Sequence, residues 1–138
     1  MDDKIKYWFD TADDDLLTAK AMLSTKRFLY VGFMCFQATE KVLKGFYHNQ
    51  AKATPPYTHN LLKLARESGL FESLDDDQRD FLDWVQPLNI EARYPAYKAK
   101  LYLTLDERQW EVVLKKTEEF VIWIKKKLSE SSGDTLTS

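Results

Sequence analysis

Long stretches of helical periodicity, rarely interrupted by proline or glycine, constrain this chain more than any other feature of its sequence. The 138 residues include only four glycines and four prolines, and between them apolar side chains recur at steps of three and four. Such spacing places apolar side chains on one face of an α-helix. No segment shows the sustained alternation that is typical of a strand. The sequence therefore predicts an all-α protein, an up-and-down bundle of four long helices plus one short helix.

The predicted helices have recognisable starts and stops. Their expected ranges are 3–23, 28–50, 60–67, about 73–88 and about 104–128. Thr58, Ser73 and Thr104 are the expected N-caps, and the last two have an acidic residue three positions later, as in a capping box. Gly69 is expected to end the short helix, and Pro87 is expected to kink or end the fourth.

Composition indicates one domain with a sizeable core. Hydrophobic residues make up 44% of the chain and aromatic residues 14%, so residues 1–128 are predicted to form the bundle. The segment 129–138, SESSGDTLTS, is small and polar and is expected to be a disordered tail. The net charge of −2 gives no general attraction to nucleic acid or to an anionic membrane. Phosphate binding would therefore need a local cluster of cations.

Cysteine usage and hydropathy suggest a cytoplasmic protein. The single cysteine, Cys35, lies in an apolar segment and is interpreted as buried packing in a reducing compartment. No run approaches the roughly 20 apolar residues of a membrane span. The acidic N-terminal stretch does not resemble a signal peptide.

One arc of the second helix carries polar side chains. At 100° per residue, Gln37, Glu40, Lys41, Lys44 and His48 project within about a quarter turn. This polar stripe is either the solvent-facing side of the helix or the lining of a groove in which lysines bind phosphate oxygens. The spacing alone leaves both interpretations open.

Two other polar features have structural interpretations. The run Asp13, Asp14 and Asp15 is expected to be a solvated face of the first helix. His59, at the start of the short helix, is interpreted as ordering the loop, since neither histidine has metal-ligand spacing and no metal site is predicted. The sequence also lacks a glycine-rich phosphate loop, GxSxG and HExxH, and no cofactor is predicted.

The segment EARYPAYKAK, residues 91–100, concentrates basic and aromatic side chains: Arg93, Tyr94, Tyr97, Lys98 and Lys100. Pro95 stiffens this connection and restricts the residue before it. Arg93 offers a planar fork of donors that suits phosphate or carboxylate. It is expected either to bind a phosphate, with tyrosines stacking on bases, or to pair with an internal carboxylate such as Glu40.

Several segments together resemble the minimal HEPN domain. The matching stretches are Trp8 with the DDDLLTA that follows, FQATEKVLKGFY (36–47), TPPYTHNLLKL (54–64) and EARYPAYK (91–98). They span about 4–128, and the second and last are the most specific. The resemblance implies a bundle of four to five helices that is usually a homodimer, with a minimal nucleotidyltransferase as partner in a toxin–antitoxin-like module. It also implies nucleotide or RNA binding by the loop residues of 93–100 and by Gln37, Glu40, Lys41 and Lys44.

The chain departs from the family at one chemically important point. Many HEPN proteins are metal-independent RNases with an arginine followed, four to six residues later, by a histidine. Arg93 matches the arginine, but Lys98, Ala99 and Lys100 occupy the candidate positions, and no histidine follows. Lysine, with an unperturbed pKa near 10.4, is poorly suited to proton transfer at neutral pH.

This departure favours a non-catalytic or weakly catalytic nucleotide- or RNA-binding protein. Two alternatives remain open at this point. One is an active RNase toxin with substituted catalytic groups, in which Arg93 acts with Lys98 or His59. The other is a purely structural helical interaction module.

Overall fold

A computed structural model of the chain describes residues 2–89 and 105–133, with side chains through Glu130. Its helices are α1 (Asp3–Ser24), α2 (Phe28–Ala51), α3 (Leu61–Glu67), α4 (Asp76–Val85) and α5 (Glu107–Gly133). Two short 3₁₀ turns, Phe71–Ser73 and Gln86–Leu88, flank α4. Within the described ranges no strand occurs, so the predicted all-α bundle is confirmed.

Cross-helix ion pairs show how the helices run. Lys20 Nζ lies 3.0 Å from Glu118 Oε2, and Lys125 Nζ lies 2.6 Å from Asp13 Oδ2. Because residue numbers fall along α1 as they rise along α5, these two helices are antiparallel. A short turn after Ser24 reverses the chain into α2, as an up-and-down bundle requires.

Three predicted caps are wrong by two residues. Helix α4 is capped by Asp75 and Gln78, whose side chains each accept the other's backbone N–H at 2.7 and 2.9 Å. Asp106 and Gln109 form the same reciprocal pair at the start of α5, and Thr104 lies outside the described residues. Asn60, rather than Thr58, caps α3. The predictions chose a serine or threonine as each N-cap. They were wrong because aspartate and asparagine cap helices equally well.

Two predicted helix ends, at Gly69 and before Pro87, are confirmed. Gly69 follows α3 with a φ of +80°, a left-handed conformation that glycine adopts without steric cost. Helix α4 ends at Val85, before Pro87. The predicted boundary after 128 falls inside α5, because serine and glutamate can extend an established helix. Residues 134–138 lie outside the described chain.

Close packing of α1 against α2 positions the polar stripe. A Cβ on Gly45 would lie 2.6 Å from Phe9 Cε1 and 3.1 Å from the Cβ of Trp8. The missing side chain of Gly45 therefore lets the two helices approach closely, which explains a glycine inside a helix despite its conformational cost. As a consequence Trp8 packs beside the Lys44 turn of α2.

All five helices contribute side chains to one core. Its largest fully buried side chains include Trp110, Phe36, Leu43, Leu61, Leu64 and Leu82. The Trp110 ring lies 6.5 Å from the Phe28 ring and 6.4 Å from the Trp84 ring, centroid to centroid. No helix in the described part of the chain is long and apolar enough to cross a membrane.

Candidate functional site

The polar stripe of α2 is not a solvent-facing surface. Glu40 and Lys44 are only 4% and 8% exposed, while Gln37, Lys41 and His48 are half-buried. Helix α1 and the loop before α3 pack over the stripe, where Lys41 pairs with Asp15 of α1 and Glu40 bonds to His59 of the loop. Burying a charge is costly unless the charge is paired, so the buried charges of the stripe need partners within the protein.

Glu40 is the centre of a buried polar cluster. Its Oε2 lies 3.2 Å from Lys44 Nζ, one turn along α2, and its Oε1 lies 2.7 Å from His59 Nδ1. The Lys44 ammonium also lies 5.7 Å from the centre of the Trp8 ring, within cation–π distance. Each carboxylate oxygen of Glu40 thus has a partner, which offsets the cost of burying it. We call Glu40, Lys44 and His59 the Glu40 cluster.

A glutamine from a distant part of the chain fixes the position of His59. Gln86 Nε2 donates to the His59 carbonyl at 2.9 Å, and Gln86 Oε1 accepts from the Leu61 N–H at 2.8 Å. These two bonds connect the end of α4 to the start of α3. The ring of Tyr57 meets that of His59 edge to face, with centroids 5.8 Å apart. Sequence analysis missed Gln86, whose only signal was a polar residue before Pro87 in an apolar pattern.

A second ion pair joins the stripe to α1. Lys41 Nζ lies 2.8 Å from Asp15 Oδ2, and Asp15 is buried. The expectation that Asp13, Asp14 and Asp15 form a solvated face is therefore wrong for Asp15, because the Lys41 turn of α2 packs over it. Burial raises the pKa of Asp15 despite the opposing influence of Lys41.

The charges of this region nearly balance. Two carboxylates, Asp15 and Glu40, face two ammonium groups, Lys41 and Lys44, in direct contact. Both lysines pair with carboxylates of the protein, so neither ammonium group is an unpaired hydrogen-bond donor for a phosphate. Net positive charge for a nucleic acid would have to come from additional cations.

The remaining predicted binding residues lie outside the described residues. They are Arg93, Tyr94, Tyr97, Lys98 and Lys100. Their predicted roles, and the alternative pairing of Arg93 with Glu40, stay predictions.

Chemically, the Glu40 cluster combines an oriented imidazole with a cation. A carboxylate that hydrogen-bonds one imidazole nitrogen fixes the orientation of the ring. Lys44 adds a positive charge beside the same carboxylate. The cluster can therefore orient a proton-transfer group, and it needs no metal to do so.

Two other features do not fit a metal or nucleophilic site. No group of three or more His, Cys, Asp and Glu side chains in the described ranges could hold a metal ion. Cys35 is fully buried, and burial raises the pKa of its thiol to about 12. The thiol therefore stays protonated and inert at neutral pH, as its apolar setting predicted.

One open groove among the described residues has the wrong sign for phosphate. It lies between α4 and α5, has a volume of about 990 Å³ and is floored by aromatic rings such as Trp84 and Trp123. Its carboxylates are Asp75, Asp77, Asp80, Asp83 and Glu119, and its one lysine is Lys116. Among the described residues none of these carboxylates forms an ion pair. A polyanion would be repelled there.

These observations define a class of protein: an all-helical bundle whose second helix carries a buried ionisable cluster completed by a histidine before the third helix. The HEPN domain family model matches residues 5–128. The chain therefore belongs to the HEPN domain family, which confirms the resemblance drawn from its motifs.

A solved structure supports the same fold. The crystal structure of TT1696 from Thermus thermophilus is similar with a TM-score of 0.76, covering 91% of this chain and 99% of that chain at 20% sequence identity. At this identity the similarity establishes the fold alone. A comparison with curated proteins gives no significant match.

Proposed function

We propose that this protein binds single-stranded RNA or a nucleotide, without catalysis or with weak catalysis, at a site formed by the Glu40 cluster and Arg93. The observation that carries the proposal is the burial of the Glu40–Lys44 pair, together with the hydrogen bond from Glu40 to the partly exposed His59. Buried ionisable groups are costly to maintain, and perturbed or buried charge clusters are concentrated at functional sites. Family membership points the same way, since HEPN proteins often bind RNA.

Chain geometry supports a contribution from Arg93. Gln86 bonds directly to the backbone of His59, and Asn89 is three residues further on. Arg93 follows Asn89 by four residues, a span of at most about 14 Å in extended chain. This length permits Arg93 to reach the cluster, and on this proposal the three cations of the segment 93–100 supply the positive charge that the balanced cluster lacks.

The wider assembly is proposed from the family. HEPN proteins often dimerise, and two copies would double the positive charge offered to an RNA. A minimal nucleotidyltransferase is the proposed partner, in a toxin–antitoxin-like module in the cytoplasm.

Removing the Arg93 guanidinium tests the RNA-binding proposal. A hydrogen bond to a charged group contributes about 1.5–3 kcal/mol, so Arg93→Ala is expected to weaken RNA binding about tenfold to a hundredfold. Fluorescence anisotropy of a labelled single-stranded RNA measures this change. Lys126→Ala, which removes an exposed cation from α5, is the charge-matched control and is expected to bind nearly as wild type. Equal affinity of Arg93→Ala and wild type would contradict the proposed site.

A second candidate function, RNA cleavage, is favoured by one contact, the 2.7 Å bond between His59 Nδ1 and Glu40 Oε1. An oriented imidazole can take and return protons near neutral pH. If His59 replaces the histidine absent after Arg93, the pure protein cleaves RNA, and His59→Ala lowers the rate by about 10²–10⁴-fold. Gel analysis of labelled RNA measures this, with the identically purified variant as control. Intact RNA after prolonged incubation with wild type eliminates the candidate.

A further inference from the structure

We propose that a cavity beside the Glu40 cluster binds one base of a single-stranded RNA, as the neighbouring nucleotide position of the proposed site. The cavity has a volume of about 350 Å³ and lies between the first two turns of α1, the end of α2 and the loop at Thr54 and Pro55. We call it the α1 pocket. This inference rests on the proposed RNA-binding function and names a contact that the function does not require.

Size indicates the class of ligand. Pockets for small organic ligands usually measure about 300–1,000 Å³, so the α1 pocket lies at the lower limit. This volume is enough to hold a single flat ring system together with a few waters. A nucleobase is a flat ring system of this kind, with the backbone remaining outside.

Two aromatic side chains provide the surface on which a base would stack. Tyr7 and Trp8 line the pocket, and their rings meet edge to face with centroids 5.8 Å apart and planes inclined at 66°. Tyr7 is 62% exposed, so core packing does not account for it. Stacking of bases on exposed aromatic rings is the usual device for binding single strands without sequence preference.

Polar groups at the rim suit the rest of a nucleotide. Lys4 and His48 line the same pocket, and the side chain of neither has a hydrogen-bond or ion-pair partner among the described residues. Both can donate to a phosphate or ribose oxygen. Asp3, also at the rim, can accept from an amino or imino group of a base.

The pocket and the Glu40 cluster are contiguous. Trp8 lines the pocket while its ring lies 5.7 Å from Lys44 Nζ. His48 follows Lys44 by one helical turn, about 6 Å of rise along α2. A ligand that occupies both places must therefore extend beyond one base, which favours an oligonucleotide over a free nucleotide.

Replacing Tyr7 tests the stacking surface. Loss of one stacked base is expected to weaken binding of a short single-stranded RNA by about 5- to 150-fold in Tyr7→Ala. Tyr7→Phe keeps the ring and is expected to bind nearly as wild type. Tyr30→Ala, at an exposed tyrosine at the other end of α2, is the matched control and should leave affinity unchanged. Anisotropy of the labelled RNA reports all four proteins.

An oligonucleotide series with single abasic sites makes the test independent of protein folding. One abasic position is expected to weaken binding to wild type and to Tyr7→Phe, but to add little to the loss in Tyr7→Ala. The α1 pocket is refuted if no abasic position weakens binding to wild type, or if Tyr7→Ala binds as tightly as wild type while Arg93→Ala binds more weakly. In both cases wild type still binds RNA, so the proposed function stands. If wild type binds no RNA, the proposed function fails and the inference fails with it.

Discussion

Glu40→Ala is expected to lower the free energy of unfolding by about 3–5 kcal/mol. The loss is large because Lys44, 8% exposed, would keep a buried positive charge without its carboxylate, and His59 would lose its hydrogen bond. Replacing one member of a buried pair costs far more than the pair itself contributes. Urea denaturation followed by circular dichroism measures the difference.

The chain contains a matched control for this prediction. Glu67 and Lys63 form another glutamate–lysine pair four residues apart on a helix, at 2.6 Å, but with side chains 40% and 47% exposed. Glu67→Ala is therefore expected to cost about 0.5 kcal/mol or less. Glu40→Gln, which preserves shape and one acceptor, should fall between the two. Equal costs for Glu40→Ala and Glu67→Ala would show that the Glu40 cluster is not buried as described.

Trp110→Ala is expected to cost about 3–5 kcal/mol of unfolding free energy. The ring is completely buried between Phe28 of α2 and Trp84 of α4. Its removal opens a cavity where three helices meet, and the surrounding rings can only partly collapse into it. Denaturant unfolding again provides the measurement.

Trp84→Ala is the control of the same residue type. Trp84 is 40% exposed, so part of its surface is already in water and its loss leaves a smaller cavity. Its cost is expected to be well below that of Trp110→Ala. A loss for Trp84 equal to that for Trp110 would contradict the packing that places only Trp110 at the centre of the core.

The sequence predicts the fold well because local signals determine it. Apolar periodicity predicts the helices, and the left-handed residue Gly69 and the proline at 87 mark ends that the structure confirms. The caps at Asp75 and Asp106 were missed because several neighbouring residues can each cap a helix. Choosing among them depends on backbone geometry at the turn, which the residue type does not specify.

The arrangement of the candidate site was less predictable. The spacing of Glu40 and Lys44 on one arc was evident from sequence, but the helices that cover the arc are distant in the chain. His59 lies 19 residues from Glu40 and Gln86 lies 27 residues from His59. Sequence periodicity indicates which residues share one face of a helix. Which other elements pack against that face depends on the tertiary structure. The burial of Asp15 against Lys41 was missed for the same reason.

A thermal-melt titration of wild type and Arg93→Ala with ATP, GTP and a short single-stranded RNA tests the central claim most directly. A ligand at 100 times its dissociation constant adds about 2.7 kcal/mol, which raises the melting temperature of a domain this size by several degrees. We expect a shift with RNA or a nucleotide in wild type that disappears in a folded Arg93→Ala. No shift with any of the three ligands, or the same shift in both proteins, would contradict an RNA- or nucleotide-binding site at Arg93 and the Glu40 cluster.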